Sequence, residues 1–488
     1  MQFGLFGFAL AVGAGLYCRH YWDDAPGVTL YVEAARCMLD GKALQTCNPF
    51  FTYPPIFALV TIPLIPLPLV LQNLTWYALT LGGLGGCLVL SARLAQRLAV
   101  TAWAPDERYW LYAIGILLSA KFFVAAMASQ SYDMGVVLLI LLGLLRLGED
   151  QPSSSIWAGI AFGCAAALKA TPLVFLPYLL LKRHYRAAAA MAIALAVGSA
   201  LPDLVFKVGG AGEQSYVLAW LHQVAAPALT ENIQNSPHFF WSATNTNNNS
   251  LRGLVGMFMP DGASSFKVTL YTVYAAYLAI IAILIGGSGR SRSALTIDGV
   301  LLLISMLMLS PMSSESHYVA LMPAIFALAA VWLKGEAALR KPAGYLLIIS
   351  FFLINVAARD IVGAAITAWA KDHRLLVIDV LLLLLPFALL VLRSQPGTQL
   401  RTGARLRDGA TTDRSRFFPS GFGGLDKAIG AACDFIGISN VKDLSPSNTS
   451  RNLARAARRS NGASTRPFSD DAGTAFSRNW LPGPGRQK

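Results

Sequence analysis

Apolar residues in this chain fall in long unbroken runs rather than in alternation, and polar residues gather in clusters between the runs. Runs near 3–18, 72–92, 109–127, 133–147, 155–168, 171–181, 187–206, 268–286, 296–310, 317–333, 343–358 and 375–392 predict about twelve membrane-crossing helices. A β-barrel is excluded, because its strands alternate apolar and polar positions. The segment 56–70 carries Pro63, Pro66 and Pro68, so it reads as a helix lying in the outer interface rather than a full span. After residue 394 the apolar pattern stops and Gly, Ser, Arg, Asn and Pro take over. The expectation is a membrane domain over 1–393 and a basic, largely disordered cytoplasmic tail over 394–488.

Composition agrees with the pattern: of 488 residues 55% are hydrophobic and only 13% charged, against roughly a quarter charged in soluble domains. The net charge of +13 is uneven, with sixteen Lys and Arg against seven Asp from Arg393 onward. Contact with anionic lipid and the positive-inside rule account for this charge without nucleic acid as a partner. With the amino terminus inside, Arg93, Arg97, Arg108, Arg146, Lys182, Arg183, Arg186, Arg290, Arg292, Lys334, Arg340 and Lys341 all fall on the inner side. Both termini are then cytoplasmic. The large loops 19–71 and about 207–267 face outward, and chemistry is expected on that outer, periplasmic or extracellular face. The run 3–18 lacks a basic leader and a small-residue cleavage site, so it reads as a retained span. Cys37 and Cys47 share one outer loop, where an oxidising compartment would let them pair or leave them as two free thiols.

Candidate chemistry sits in that outer layer. Asp23 and Asp24 follow the first span beside Trp22, where partial desolvation would raise a carboxylate's pKa and make it a better base; Asp24-Ala25-Pro26 equally reads as a helix start. Lys169 interrupts an apolar run, and a cation there asks for a partner such as a phosphate; Lys121 poses the same question. His317 lies in a polar knot, 310–318, between two apolar runs, and suits a phosphate or a sugar hydroxyl as well as plain packing. Gln130 with Ser129 and Asp133, Asn249 and Arg252 are polar positions on the same side, unspecific one at a time. Walker, dinucleotide-binding, HExxH and Cys/His metal motifs are absent, so neither a cofactor nor a metal is expected.

In order along the chain, Asp23-Asp24, Tyr31-Val32-Glu33-Ala34-Ala35, Gly41, Phe51-Thr52-Tyr53-Pro54-Pro55, the 63–68 prolines, Trp76, Ser129-Gln130, Lys169-Ala170-Thr171-Pro172, Asn249-Ser250-Leu251 and Ser310-Pro311 through His317-Tyr318 resemble the pattern of glycosyltransferase family 87. The resemblance covers about residues 1–392. It implies a GT-C-like helical bundle and an inverting transfer of a hexosyl, above all mannosyl, or pentosyl residue from a polyprenyl-phosphate sugar to a lipid or glycan acceptor. It further implies Asp24 or Asp23 as general base, Lys169, Arg252 and His317 around the donor phosphate, and Tyr31, Tyr53, Gln130 and Asn249 around sugar or acceptor. The alternative is a transporter or flippase of lipid-linked sugars. Such folds carry internal repeats and midplane charge, whereas this chain concentrates polar residues on one face.

Overall fold

The computed structural model describes residues 2–22, 25–149, 151–209, 215–230, 241–259, 265–356 and 358–394, all within one unit of the chain. Among them the secondary structure is entirely helical. The order is α1 (Gln2–His20), α2 (Pro26–Leu39), α3 (Leu44–Cys47), α4 (Pro55–Thr61), α5 (Leu69–Gln96), α6 (Pro105–Ala128), α7 (Asp133–Leu147), α8 (Pro152–Leu168), α9 (Phe175–Leu181) and α10 (Tyr185–Val205). Then come the short α11 (Tyr216–Trp220), α12 (Ala226–Thr230) and α13 (Leu251–Gly256). The chain continues with α14 (Phe266–Gly287), α15 (Arg292–Leu309), α16 (Met322–Lys334), α17 (Ala337–Val356), α18 (Arg359–Val362), α19 (Ala364–Asp372) and α20 (Leu375–Ser394).

Prolines set many of the helix starts. Pro26, Pro105 and Pro152 occupy the first turns of α2, α6 and α8, where a missing N–H leaves no helical bond unmade. At α6 the Glu107 carboxylate reaches back to accept from the Ala104 amide at 2.8 Å, satisfying one exposed donor. Eight described helical segments are long and apolar enough to cross a membrane: α5, α6, α10, α14, α15, Glu315–Lys334, α17 and α20. The first run (α1), α7 and α8 also form the helices expected of them. The expected span 171–181 is instead a 3-10 turn, Thr171–Val174, followed by the seven residues of α9. Eleven residues reach about 17 Å, roughly half a hydrocarbon core. Pro172 explains the break. As expected from its prolines, 56–70 is no continuous span: α4 tightens into a 3-10 turn, Ile62–Leu64, before α5. The expected tail lies outside the described residues, apart from Ser394, the last residue of α20.

α15 and Glu315–Lys334 are each 83% buried and form the axis of the bundle, whereas α10 is only 17% buried and shows its apolar side outward. α10 is fastened to α8 through a small-residue seam. Gly159 and Gly163, four apart on α8, let the backbones touch, since a Cβ on Gly159 would stand 2.2 Å from the Ala187 oxygen.

Candidate active site

Four chain segments bring their polar ends together at one end of the bundle. Asp133 is the first residue of α7, Lys169 follows the last residue of α8, and Ser310 and Ser313 follow α15. His317 lies in the 3-10 turn Glu315–Leu321 that leads into α16. The Lys169 ammonium pairs with one oxygen of the Asp133 carboxylate. The other oxygen accepts from the Ser131 hydroxyl at 2.6 Å and stands 3.6 Å from Nε2 of His317. A small pocket, with room of about 20 Å³, is lined by these polar groups and by Val136, Val137, Met306 and Leu307. Breaking such a pair from one side strands a charge, which typically costs about 3–5 kcal/mol when the pair is buried. Lys169 is 17% exposed at its side chain and Asp133 7%, so the cation keeps an opening to the pocket. Among the described residues no three His, Cys, Asp or Glu side chains gather closely enough to hold a metal ion.

A second ionic group shares the 3-10 turn. Glu315 lies 3.4 Å from Lys121 of α6 and 3.5 Å from Lys371 of α19, and Lys371 also donates to the Asn247 side chain at 3.0 Å. The cation noticed in the α6 run thus finds its carboxylate two residues before His317.

An aromatic wall adjoins the ion pair. Tyr132 lies 5.9 Å from the Lys169 ammonium and donates to the Leu168 carbonyl at 3.2 Å. Its ring packs at 4.1 Å from Phe57 and 5.0 Å from Tyr53. Tyr31 continues the wall, 5.6 Å from Tyr53 and 4.9 Å from Trp76. Burial pushes the Tyr53 phenol up to about 12 and the Tyr31 phenol well above its usual value, so both stay protonated hydrogen-bond donors at neutral pH. Tyr31 is 1% exposed, whereas Tyr53 is half-buried and the more open of the two.

Gln130 organises the corner between α6 and α7. Its backbone adopts φ +50°, its carbonyl accepts from the Tyr31 hydroxyl at 3.1 Å, and its side chain bonds the Val28 amide and the Asn73 side chain, each at 3.0 Å. Asn249 is likewise buried: its amide donates to the Ser313 carbonyl at 2.7 Å and its carbonyl accepts from the Tyr318 hydroxyl at 2.6 Å. Arg252 follows three residues on, 1% exposed, its guanidinium 5.6 Å from the Phe266 ring. Of the expected site residues, the structure brings Lys169 and His317 together around Asp133 and places Tyr53 on the adjoining wall. Tyr31, Gln130 and Asn249 form the supporting layer.

Asp23 and Asp24 lie outside the described residues. Their described flanks are both tied to the α6–α7 corner: the Tyr21 hydroxyl donates to the Ala128 carbonyl, and the Val28 amide to Gln130. Asp133 is the residue that sequence reasoning undervalued. In the sequence it stands only as one polar position beside Ser129 and Gln130, and a carboxylate opening an apolar run ordinarily marks no more than a helix start.

The family model for glycosyltransferase family 87 matches residues 51–311, more than half of the chain. The chain belongs to glycosyltransferase family 87. Two curated relatives, from Mycolicibacterium smegmatis and Mycobacterium tuberculosis, are each a polyprenol-phosphate-mannose-dependent alpha-(1-2)-phosphatidylinositol mannoside mannosyltransferase. Each is 26% identical to this chain, covering 61% of it and 68% of the first relative, and 64% of it and 72% of the second. Among solved structures the chain is similar to ArnT from Cupriavidus metallidurans, at 16% identity. The apo form matches with a TM-score of 0.35 over 75% of this chain and 72% of that one. The form bound to undecaprenyl phosphate matches at 0.34 over 78% and 74%. The family 87 match ends at residue 311, so Lys169 and Asp133 fall within it and His317 just beyond.

Proposed function

We propose that this membrane glycosyltransferase takes a sugar, with mannose first, from a polyprenyl-phosphate donor and passes it with inversion to a lipid or glycan acceptor on the outer face of the cell membrane. The observation that carries the reading is the Lys169–Asp133–His317 cluster at one polar end of an otherwise apolar bundle. A monoanionic phosphate diester entering there finds one ammonium whose present partner is a carboxylate. Lys169 exchanges Asp133 for the donor phosphate, with His317 as a hydrogen-bonding neighbour and Arg252 behind the Asn249 loop.

In the step itself the acceptor hydroxyl gives its proton to Asp24 or Asp23 while its oxygen bonds to the anomeric carbon. The bond from that carbon to the phosphate oxygen breaks, and the electron pair leaves with the phosphate, whose growing charge faces Lys169. Anchoring of both flanks of the Asp23-Asp24 pair on the 128–130 corner supports this role. Tyr53 presents a neutral phenol and an aromatic face suited to a sugar. The Cys37–Cys47 disulfide, with Cα atoms 6.2 Å apart in the same loop, supports an oxidising, outer side for this end of the bundle. So does the gathering of Arg146, Lys182 and Lys334 at the opposite helix ends, with the termini cytoplasmic.

The test is transfer by purified full-length protein in lipid nanodiscs supplied with polyprenyl-phosphate mannose, glucose or arabinose. The expected outcome is loss of mannose from the polyprenyl lipid, with the anomeric configuration inverted in the product. Movement of the intact donor between leaflets without consumption of the sugar would replace this reading with that of a flippase.

A further inference from the structure

At the end of α15 remote from the catalytic cluster, eighteen residues or about 27 Å away, lies a second recess. It holds about 710 Å³ of empty space open to solvent and is lined by Lys182, Arg183, Ser288, Gly289 and Arg290 among others. Two loops, α9–α10 and α14–α15, meet there and are pinned by one buried cation. Lys182, 8% exposed, donates to the Ser288 hydroxyl at 2.6 Å, to the Ser288 carbonyl at 2.8 Å and to the Gly289 carbonyl at 3.3 Å. It also pairs with Asp298 at 3.2 Å, and Ser288 donates to the same carboxylate at 2.6 Å.

The residue following each pinned position is an arginine. Arg183 follows Lys182, and Arg290 follows Gly289, so the network that ties Lys182 to Ser288, Gly289 and Asp298 places two arginines at one rim. Arg183 holds φ +58°, a left-handed conformation that side chains bear at a cost. Burial and the fields of Arg290 and Lys182 lower the pKa of His184, which places their positive potential at the same spot. The positive-inside rule accounts for arginines in a loop. It does not account for a recess between two interlocked loops with an arginine on each wall.

We propose that this recess binds the phosphate of an anionic phospholipid headgroup in the leaflet opposite the active site. The recess sits at the polar end of membrane helices, where headgroups stand, and basic pockets between such helices recognise anionic lipids. A phosphodiester fits between the two guanidiniums, which can each donate in pairs. Acyl chains then lie along the outward apolar sides of α10 and α14.

The experiment is native mass spectrometry of the full-length protein in detergent, with phosphatidylglycerol, phosphatidylethanolamine or inorganic phosphate added separately. Wild type should retain phosphatidylglycerol over phosphatidylethanolamine, and Arg183→Gly and Arg290→Ala should each lower that retention roughly fivefold. Arg183→Gly also removes the backbone strain, so its thermal midpoint should not fall, and basal sugar transfer in lipid-free detergent should match wild type for both variants. Equal retention of the two lipids, unchanged retention in both variants, or binding of inorganic phosphate without binding of phosphatidylglycerol would each overturn the proposal. None of these outcomes depends on which sugar the enzyme transfers.

Discussion

Lys169 and Asp133, 36 residues apart in sequence, form an ion pair that joins the end of α8 to the start of α7. The pair is structural as it stands, and on the proposed reading also chemical; the two roles separate by substitution. Lys169→Met should abolish transfer, and it should also lower the thermal midpoint because it strands Asp133 in a buried place. The double variant Lys169→Met, Asp133→Leu should regain much of that stability, since an apolar pair of similar volume often matches a buried ion pair. It should regain no activity. A differential scanning measurement beside a radiolabelled-mannose assay distinguishes the two, and recovery of transfer in the double variant would remove Lys169 from the donor site.

Asp24→Asn and Asp23→Asn test the base. Loss of the proton acceptor should lower the turnover number by about 10² to 10⁴-fold. The thermal midpoint and donor binding, followed by quenching of tryptophan fluorescence, should stay close to wild type. Full activity in both variants would place the base on another residue, with Glu315 and Asp133 the described carboxylates to try next.

The α8–α10 seam predicts a sharp contrast between glycines. A side chain at Gly159 meets the Ala187 carbonyl and at Gly163 the Met191 carbonyl, so Gly159→Val should separate the helices and cost at least 1–3 kcal/mol. Gly82 on α5 has no atom within 4 Å of where a Cβ would stand. Gly82→Ala should therefore be neutral or stabilising by about 0.5–1 kcal/mol. Thermal midpoints of the two variants in one detergent provide the comparison, and a Gly159→Val protein as stable as wild type would mean that this seam does not hold α8 to α10.

Removing the Cys37–Cys47 disulfide should cost roughly 2–3 kcal/mol, as expected for a short closed loop. The loop it closes carries Leu44, and Phe51 follows four residues after Cys47; both pack into the cluster that holds the aromatic wall. Reduction, or Cys37→Ser with Cys47→Ser, should therefore lower transfer through Tyr53 as well as stability. Alkylation under denaturing, non-reducing conditions should leave two of the six thiols unmodified, and modification of all six would show that the bond does not form in the isolated protein.

The continuous apolar runs made most of the helices legible, because a membrane span declares itself by length alone. The 171–181 segment misled for a related reason: it is apolar throughout, yet its eleven residues form a 3-10 turn and α9 too short to cross. At the site, Lys169 was legible as a cation where hydrocarbon was expected. Asp133 was not, since a carboxylate opening a helix is ordinary and only the fold sets it against Lys169. Tyr31, Gln130 and Asn249 were read as polar groups facing a ligand. The structure shows each of them buried and internally bonded, a placement set by the fold rather than by the local sequence.

The positions of Asp133 and Lys169 on their helices bear on how the donor enters. Asp133 opens α7, at the positive end of that helix's dipole, and Lys169 closes α8, at the negative end of its own. Each charge therefore has a standing counter-field in its own backbone, in addition to its partner. In the exchange proposed above, a phosphate that drew Lys169 away would leave Asp133 the α7 dipole and the Ser131 hydroxyl. Those remaining fields would offset part of the cost of leaving the Asp133 carboxylate without its cation.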